Sequence, residues 1–190
     1  MSSNSSIAKC YTEKEMRSLV HGHLFIITPE NRERLYTYIN TARRTNSLCK
    51  VMIFYETNHD PNRNIRGGHW TCVAARGSDI YFFDSLGLFP DDELDKIPAK
   101  YRMMSNQTKR TLGNILFTLS RNGYRIHYND MAYQENDLRV NTCGRYCALF
   151  LNEGMETGGD PYKVVNRILN KYKRPDEDYY DQAIIRLNKY

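Results

Sequence analysis

The sequence predicts an α+β fold, and three observations carry that expectation. Residues 69–75 and 79–84 are two strand-like runs rich in aromatic and β-branched side chains. Arg76-Gly77-Ser78 turns one into the other, which reads as a β-hairpin. Residues 48–55 form a third such run with apolar side chains on both faces, the pattern of a strand covered from two sides. Residues 107–121 and the stretch after Asp160-Pro161 place apolar side chains at helical spacing instead.

Taken in order, Thr12-Glu13-Lys14-Glu15 has the capping-box pattern and opens a short helix through Val20, with Gly22 stopping it. Pro29 and Glu30 begin a second helix whose stripe is Leu35, Tyr38, Ile39 and Ala42. After the strand at 48–55, residues 58–68 contain Pro61 and two glycines and read as a long polar loop. That loop delivers the chain to His69 at the start of the hairpin, and Asp84 ends its second strand. Residues 86–98 are turn-rich, with acidic residues at Asp91, Asp92, Glu93 and Asp95. The helix over 107–121 turns Leu112, Ile115, Leu116 and Leu119 to one side and closes at Gly123; residues 124–128 follow as a short strand. Asp160-Pro161 caps a helix with Val164, Val165, Ile168, Leu169 and Tyr172 facing inward. Pro175 breaks it, and residues 176–188 form the last helix. No repeat, low-complexity tract or linker divides the chain, so it reads as one domain over residues 1–190.

Composition narrows the function classes. A chain of 190 residues, 41% apolar and 26% charged, can bury a core without staples. Five cysteines, an odd set of low density, read as reduced thiols inside a cell. The polar N-terminus and the absence of a long apolar run predict neither a secretory signal nor a membrane anchor. A net charge of +5 permits contact with nucleic acid or an acidic partner without demanding one.

The stretch Asn141-Thr142-Cys143-Gly144-Arg145-Tyr146-Cys147 reads as a loop running into an apolar, buried helix. A cysteine at the first turn of a helix meets the positive end of the macrodipole and unpaired N–H groups, and both favour thiolate over thiol. Gly144 leaves backbone room beside the sulfur. The plain alternative is that Cys143 is a small buried hydrophobe. His69, between a glycine pair and Trp70, and Asp84, on the partner strand, are placed to meet across the ladder. A carboxylate there fixes the imidazole tautomer and stabilises imidazolium. Gln134, in the loop before Cys143, can donate to an oxyanion together with the Cys143 N–H. Each has a bland counterpart: a turn aspartate, a solvated glutamine, a packing histidine. Two further signals are weaker. Cys143 and Cys147 with His21 and His23 lack the frame of a zinc knuckle, and Cys147 reads as core. Lys163, Arg167, Lys171, Lys173 and Arg174 form a basic run that is either a nucleic-acid contact or a solvated helix face.

Gly67-Gly68-His69-Trp70, Tyr81-Phe82-Phe83-Asp84-Ser85-Leu86-Gly87, Gln134 and Cys143-Gly144 resemble the motifs of the adenain and SUMO-protease clan of cysteine peptidases. Residues 14–20 resemble adenain's opening helix, so the likeness spans nearly the whole chain. Its small size is most similar to the capsid-maturation proteases of virophages and Polinton-like DNA viruses. The resemblance implies a central mixed, mainly antiparallel sheet flanked by helices, with the nucleophile at a helix N-terminus. It implies a triad of His69, Asp84 and Cys143 with Gln134 at the oxyanion hole, and no metal or other cofactor. It further implies a substrate tunnel that favours glycine, with Trp70 as one wall and Gly68 and Gly144 beside it. The substrates are viral capsid or structural polypeptides, and the setting is the virion and the host cell interior. A monomer is expected, with nucleic-acid contact through Lys163, Arg167, Lys171 and Arg174. Two departures stand out: Gln134 lies nine residues before Cys143, which calls for slack in the loop, and the acid is Asp, as in SUMO proteases, where adenain has Glu. Competing classes are a ubiquitin- or SUMO-like isopeptidase, an effector acetyltransferase with a similar triad, a chymotrypsin-like viral cysteine protease, and a non-enzymatic DNA-binding capsid-associated protein. The acetyltransferase needs cofactor and activator sites for which the chain has no room. The chymotrypsin-like enzyme needs strands, not a helix, around its cysteine.

Overall fold

A computed structural model describes residues 10–60, 65–137, 139–187 and 190. Five strands form one mixed sheet in the order β1-β2-β3-β4-β5. They are β1 (Phe25–Ile27), β2 (Cys49–Asp60), β3 (Ile65–Arg76), β4 (Asp79–Phe83) and β5 (Arg125–Tyr128). The two central ladders, β2 with β3 and β3 with β4, are antiparallel, and the outer two are parallel. Parallel neighbours need a crossover, and both crossovers here are helical. One is α2 (Arg34–Thr45), after a single 3-10 turn at Pro29–Asn31. The other comprises α3 (Glu93–Lys96), α4 (Ala99–Met104) and α5 (Thr111–Arg121).

The sheet separates two cores, and the alternation along its strands assigns each side chain to one of them. Met52, Cys72, Ala74 and Phe83 face a layer built from α1 (Glu13–Leu19), α6 (Cys143–Leu149), α7 (Pro161–Asn170) and α8 (Asp181–Arg186). Val51, Ile53, Val73, Ala75, Ile80 and Phe82 face α2 and α5. Apolar residues on both faces of residues 48–55 thus mean what the sequence suggested. Helix α6 is buried around nearly its whole circumference and continues as a π-helical turn at Phe150–Gly154. The expected α+β architecture, a mixed sheet between helices with Cys143 opening a helix, is the one observed.

Several elements differ from expectation, each for a local reason. The long loop at 58–68 is mostly ladder: Asn58, His59 and Asp60 pair with Gly67, Arg66 and Ile65, past an irregularity at Glu56/Asn58. His69 therefore sits within β3 and not at its start. Pro29 opens only the 3-10 turn, and the α-helix begins at Arg34. Gln107 precedes α5, because its side chain is engaged elsewhere. Its amide accepts from Arg32 at 2.7 Å and from the Glu56 N–H at 3.1 Å, and donates to the Glu56 carbonyl at 2.8 Å. Asp91, grouped above with an acidic cluster, is buried. It accepts from Tyr55 Oη at 3.0 Å and from the Gly113 N–H at 2.8 Å, and burial raises its pKa. Tyr172 lies beyond the end of α7 and is exposed. The final helix spans only Asp181–Arg186, and the Asn188 end of the expected helix lies outside the described residues. β1 and α4 were not anticipated; three and six residues are too short to establish a period.

Among the described residues no helix is long and apolar enough to cross a membrane.

Candidate active site

Cys143 is the first residue of α6, 4% exposed, and lines an open cleft of about 400 Å³. His69, Gly68, Leu86, Gln134 and Glu93 line the same cleft. The N–H of Trp70 points at Cys143 Sγ, 3.5 Å away. A donor aimed at a sulfur, together with the unpaired N–H groups of a helix start, stabilises negative charge there.

His69 Nε2 lies 3.0 Å from Asp84 Oδ1, and Cys143 is near enough to the His69 ring to raise its pKa. With Nε2 committed to the carboxylate, Nδ1 is the nitrogen left for the thiol. The contact is not made across the ladder. The last pair is Cys72 with Phe83, so His69 and Asp84 meet beyond the point where β4 stops. Both are buried. Burial alone would lower the histidine pKa; the Asp84 charge and hydrogen bond, with Cys143 beside it, outweigh that and hold it well above its ordinary 6.5. The folded protein therefore keeps the His69 proton to a higher pH than the unfolded chain does. The ion pair's stabilisation is complete below about pH 6.5 and is lost as the pH climbs through the folded-state value. The melting-temperature gap between wild type and His69→Gln should accordingly narrow as the pH rises above 6.5. A gap constant from pH ~6 to ~9 would mean no such pair forms.

Asp84 is itself fixed. Its Oδ1 also accepts from the Leu86 N–H at 2.7 Å, and Asn129 brackets its backbone, accepting from the Asp84 N–H at 2.8 Å and donating to its carbonyl at 2.6 Å. Ser85 secures Gln134: its carbonyl accepts from the N–H groups of Tyr133 and Gln134, and its hydroxyl donates to Gln134 Oε1 at 2.8 Å. Gln134 Nε2 donates to the Val140 carbonyl at 3.0 Å, which leaves its second N–H available on the cleft side. The nine-residue spacing to Cys143 is taken up by a turn in which the Val140 N–H reaches the Asp137 carbonyl and Arg139 clasps the Asp137 carboxylate.

Asp181 was not singled out from the sequence. From α8 it accepts from Thr142 Oγ1, from Tyr146 Oη at 3.3 Å and from the Glu135 N–H at 2.8 Å. One carboxylate thus holds both ends of the segment between Gln134 and Cys143. Asp181, Asn129 and Ser85 are ordinary polar residues in sequence, and only their burial marks them.

Two expected cleft residues sit elsewhere. The Trp70 indole is buried in the core, donating to the Tyr11 carbonyl at 2.9 Å with Phe54 4.7 Å away, and does not wall the cleft. Gly144 faces α1: an added Cβ would stand 2.9 Å from Met16 Sδ, so its missing side chain admits that helix. Gly68 does line the cleft. The basic residues Lys163, Arg167, Lys171 and Arg174 are exposed, along and just beyond α7, while Lys173 sits over the Tyr180 ring at 4.5 Å.

The cysteines differ in setting. Burial raises the pKa of Cys49 to about 12 and holds that of Cys147 well above 9.0, Cys72 adding to the latter. Cys10, exposed in the cleft, is raised by partial burial and by Cys143. Limiting iodoacetamide should therefore modify Cys143 first and Cys10 next, as read by peptide mass spectrometry. Equal labelling of all five would contradict an activated Cys143.

No protein-family model matches the chain. One curated relative, uncharacterized protein V9 of Sputnik virophage, is 38% identical over 85 residues, or 44% of this chain and 47% of V9. The match thus spans about half the length of that relative. Among solved structures, ChlaDub1 from Chlamydia trachomatis superposes with a TM-score of 0.53 at 11% identity, covering 95% of this chain and 92% of the other. The central domain of uncharacterized Lpg1148 from Legionella pneumophila gives 0.51 at 13%, covering 95% and 94%. The chain shares its fold with both. Identities this low carry the likeness of fold and leave the chemistry to the residues themselves.

Proposed function

We propose that the protein is a cysteine peptidase, a viral endopeptidase that cleaves capsid or other structural polypeptides at glycine-containing sites during virion maturation. The observation that carries this reading is the buried His69–Asp84 pair, which opens onto the same cleft as a cysteine at a helix start. In this mechanism Cys143 Sγ attacks the scissile carbonyl carbon, and His69 gives its proton to the leaving amine as the C–N bond breaks. His69 then takes a proton from water, which hydrolyses the thioester and returns Cys143. The oxyanion is met by the second N–H of Gln134 Nε2 and by the Cys143 N–H, which has no intrahelical acceptor. The partial match to a virophage protein supports a viral setting. Nucleic acid is a further proposed partner, through Lys163, Arg167, Lys171 and Arg174. The test is mass spectrometry of candidate capsid proteins incubated with wild type and with Cys143→Ala: new termini only with wild type support the reading, and none with either overturns it.

The second reading is a ubiquitin- or SUMO-like isopeptidase, supported by the fold shared with ChlaDub1. The chemistry is the same, and only the docking surface differs. A parallel assay on conjugates separates the two; efficient cleavage of conjugates beside inert capsid substrates reverses the order and leaves the triad in place.

A further inference from the structure

Two of the five thiols share the cleft. Cys10 and Cys143 both line it, whereas Cys49 lies in the core on the other side of the sheet and Cys72 and Cys147 are fully buried. The segment that carries Cys10 is fastened beside the nucleophile. The Tyr11 carbonyl accepts from Trp70 Nε1 at 2.9 Å, and the Trp70 N–H in turn points at Cys143 Sγ. The Tyr11 ring lies 5.2 Å from the Arg145 guanidinium, on the first turn of α6. Tyr11 Cβ stands 3.5 Å from the place that a Cβ on Gly144 would take. Residues joined by a disulfide hold their Cβ atoms about 3.5–4.5 Å apart. Tyr11 and Gly144 are thus at the spacing of a cross-link, and Cys10 and Cys143 are the residues just before them. Partial burial and the Cys143 charge both raise the Cys10 pKa, which agrees with two sulfurs in electrostatic reach of each other.

We propose that Cys10 is a resolving thiol for Cys143, and that a peroxide converts the pair to an intramolecular disulfide that locks the nucleophile reversibly. The inference rests on the peptidase reading and deepens it, since it adds a means of control to that same site. In the first step the Cys143 thiolate attacks one oxygen of hydrogen peroxide. An S–O bond forms, the O–O bond breaks, and the departing hydroxide takes the His69 proton and leaves as water. Cys143 is now a neutral sulfenic acid, so the charge that kept Cys10 protonated is gone. In the second step Cys10 Sγ attacks Cys143 Sγ. The S–S bond forms, the S–O bond breaks, and the hydroxide leaves as water with the Cys10 proton. The two sulfurs together lose two electrons, and the peroxide gains them. A dithiol reverses the bridge by exchange. A sulfenic acid with no thiol in reach goes on instead to sulfinic acid, which such reductants do not restore.

The experiment treats the reduced full chain with a small excess of hydrogen peroxide, then counts iodoacetamide-reactive thiols and maps peptides without reduction. In wild type, two reactive thiols should disappear and both return with dithiothreitol. The peptide holding Cys10 should be found joined to the one holding Cys143, lighter by two hydrogen atoms, in a protein that remains a single chain on a non-reducing gel. In Cys10→Ser one reactive thiol should disappear and not return, with two oxygens added at Cys143. A bridge between two chains, a bridge from Cys143 to Cys49, Cys72 or Cys147, sulfinic acid at Cys143 to the same extent in wild type and Cys10→Ser, or no thiol lost at all overturns the proposal. The wild-type map decides the matter even if the serine variant fails to fold. Turnover of a glycine-containing peptide by the reduced protein judges the peptidase reading separately. The bridge without turnover removes that reading and leaves the thiol pair standing; turnover without the bridge does the reverse.

Discussion

On the proposed mechanism, Cys143→Ala and His69→Ala should each abolish cleavage, a loss on the order of 10⁶ in turnover, as expected of residues that act as one unit. Losing the sulfur removes the nucleophile, and losing the imidazole removes both the counter-ion and the proton donor for the amine. The graded variants are more telling. Asp84→Asn keeps its place, because its side-chain carbonyl can still accept from the Leu86 N–H as Oδ1 does now at 2.7 Å. The same oxygen still faces His69 Nε2 at its present 3.0 Å, so the ring keeps its orientation, and what is lost is the carboxylate charge that holds the imidazolium. Weak activity remains, lower by about 10⁴, the loss seen when such an acid is neutralised. Gln134→Ala costs on the order of 10² or more, the usual loss of one oxyanion donor. Turnover of a short glycine-containing peptide measures all four. Equal activity in wild type and His69→Ala would exclude the triad.

Gly68→Ala is the substitution expected to damage the fold most. A Cβ at Gly68 would stand 2.2 Å from the Tyr55 carbonyl oxygen and 2.3 Å from Phe54 Cζ. The phenyl can swing only by leaving Trp70, against which it packs, and the carbonyl belongs to the backbone of β2. The strands must part beside His69. Overpacking of this kind costs up to about 3 kcal/mol. At about 2–4 °C per kcal/mol for a chain of this size, Tm falls by ~6–12 °C. Gly113→Ala is the control: it lies within α5, its nearest neighbour is 3.5 Å away, and alanine favours the helix. Calorimetry showing equal Tm for the two variants would refute the strain at Gly68.

How much of this was legible depends on the range of the interaction. The hairpin announced itself through a turn between two strand-like runs, and the cap on α1 through its four-residue pattern, because both are local. His69, Asp84, Cys143 and Gln134 were read together through the motifs around them, since taken singly each has a bland counterpart. The positioning residues were not. Asp181 acts on Thr142 and Glu135 from far along the chain, and nothing in its neighbourhood marks it; Ser85 stands inside the motif around Asp84, but its hold on Gln134 is visible only in the fold. The loop at 58–68 was misjudged because its glycines signal turns; in the structure Gly68 is a glycine so that Phe54 and the β2 backbone can lie against it. Trp70 was placed on the cleft by the family resemblance, whereas its side chain packs in the core layer that also holds Cys143 and Met16.

The grip of Asp181 on Thr142 and Glu135 also bears on the order of events during synthesis. A chain emerging from the ribosome exposes β3, β4 and the nucleophile well before residue 181 is available. Until that residue docks, the segment between Gln134 and Cys143 lacks the carboxylate that holds both of its ends. Native contacts between distant parts of a chain form late. On the peptidase reading, competence to cut waits for the helix at Asp181–Arg186, which is made well after the nucleophile, and neighbouring nascent polypeptides are spared until that helix docks.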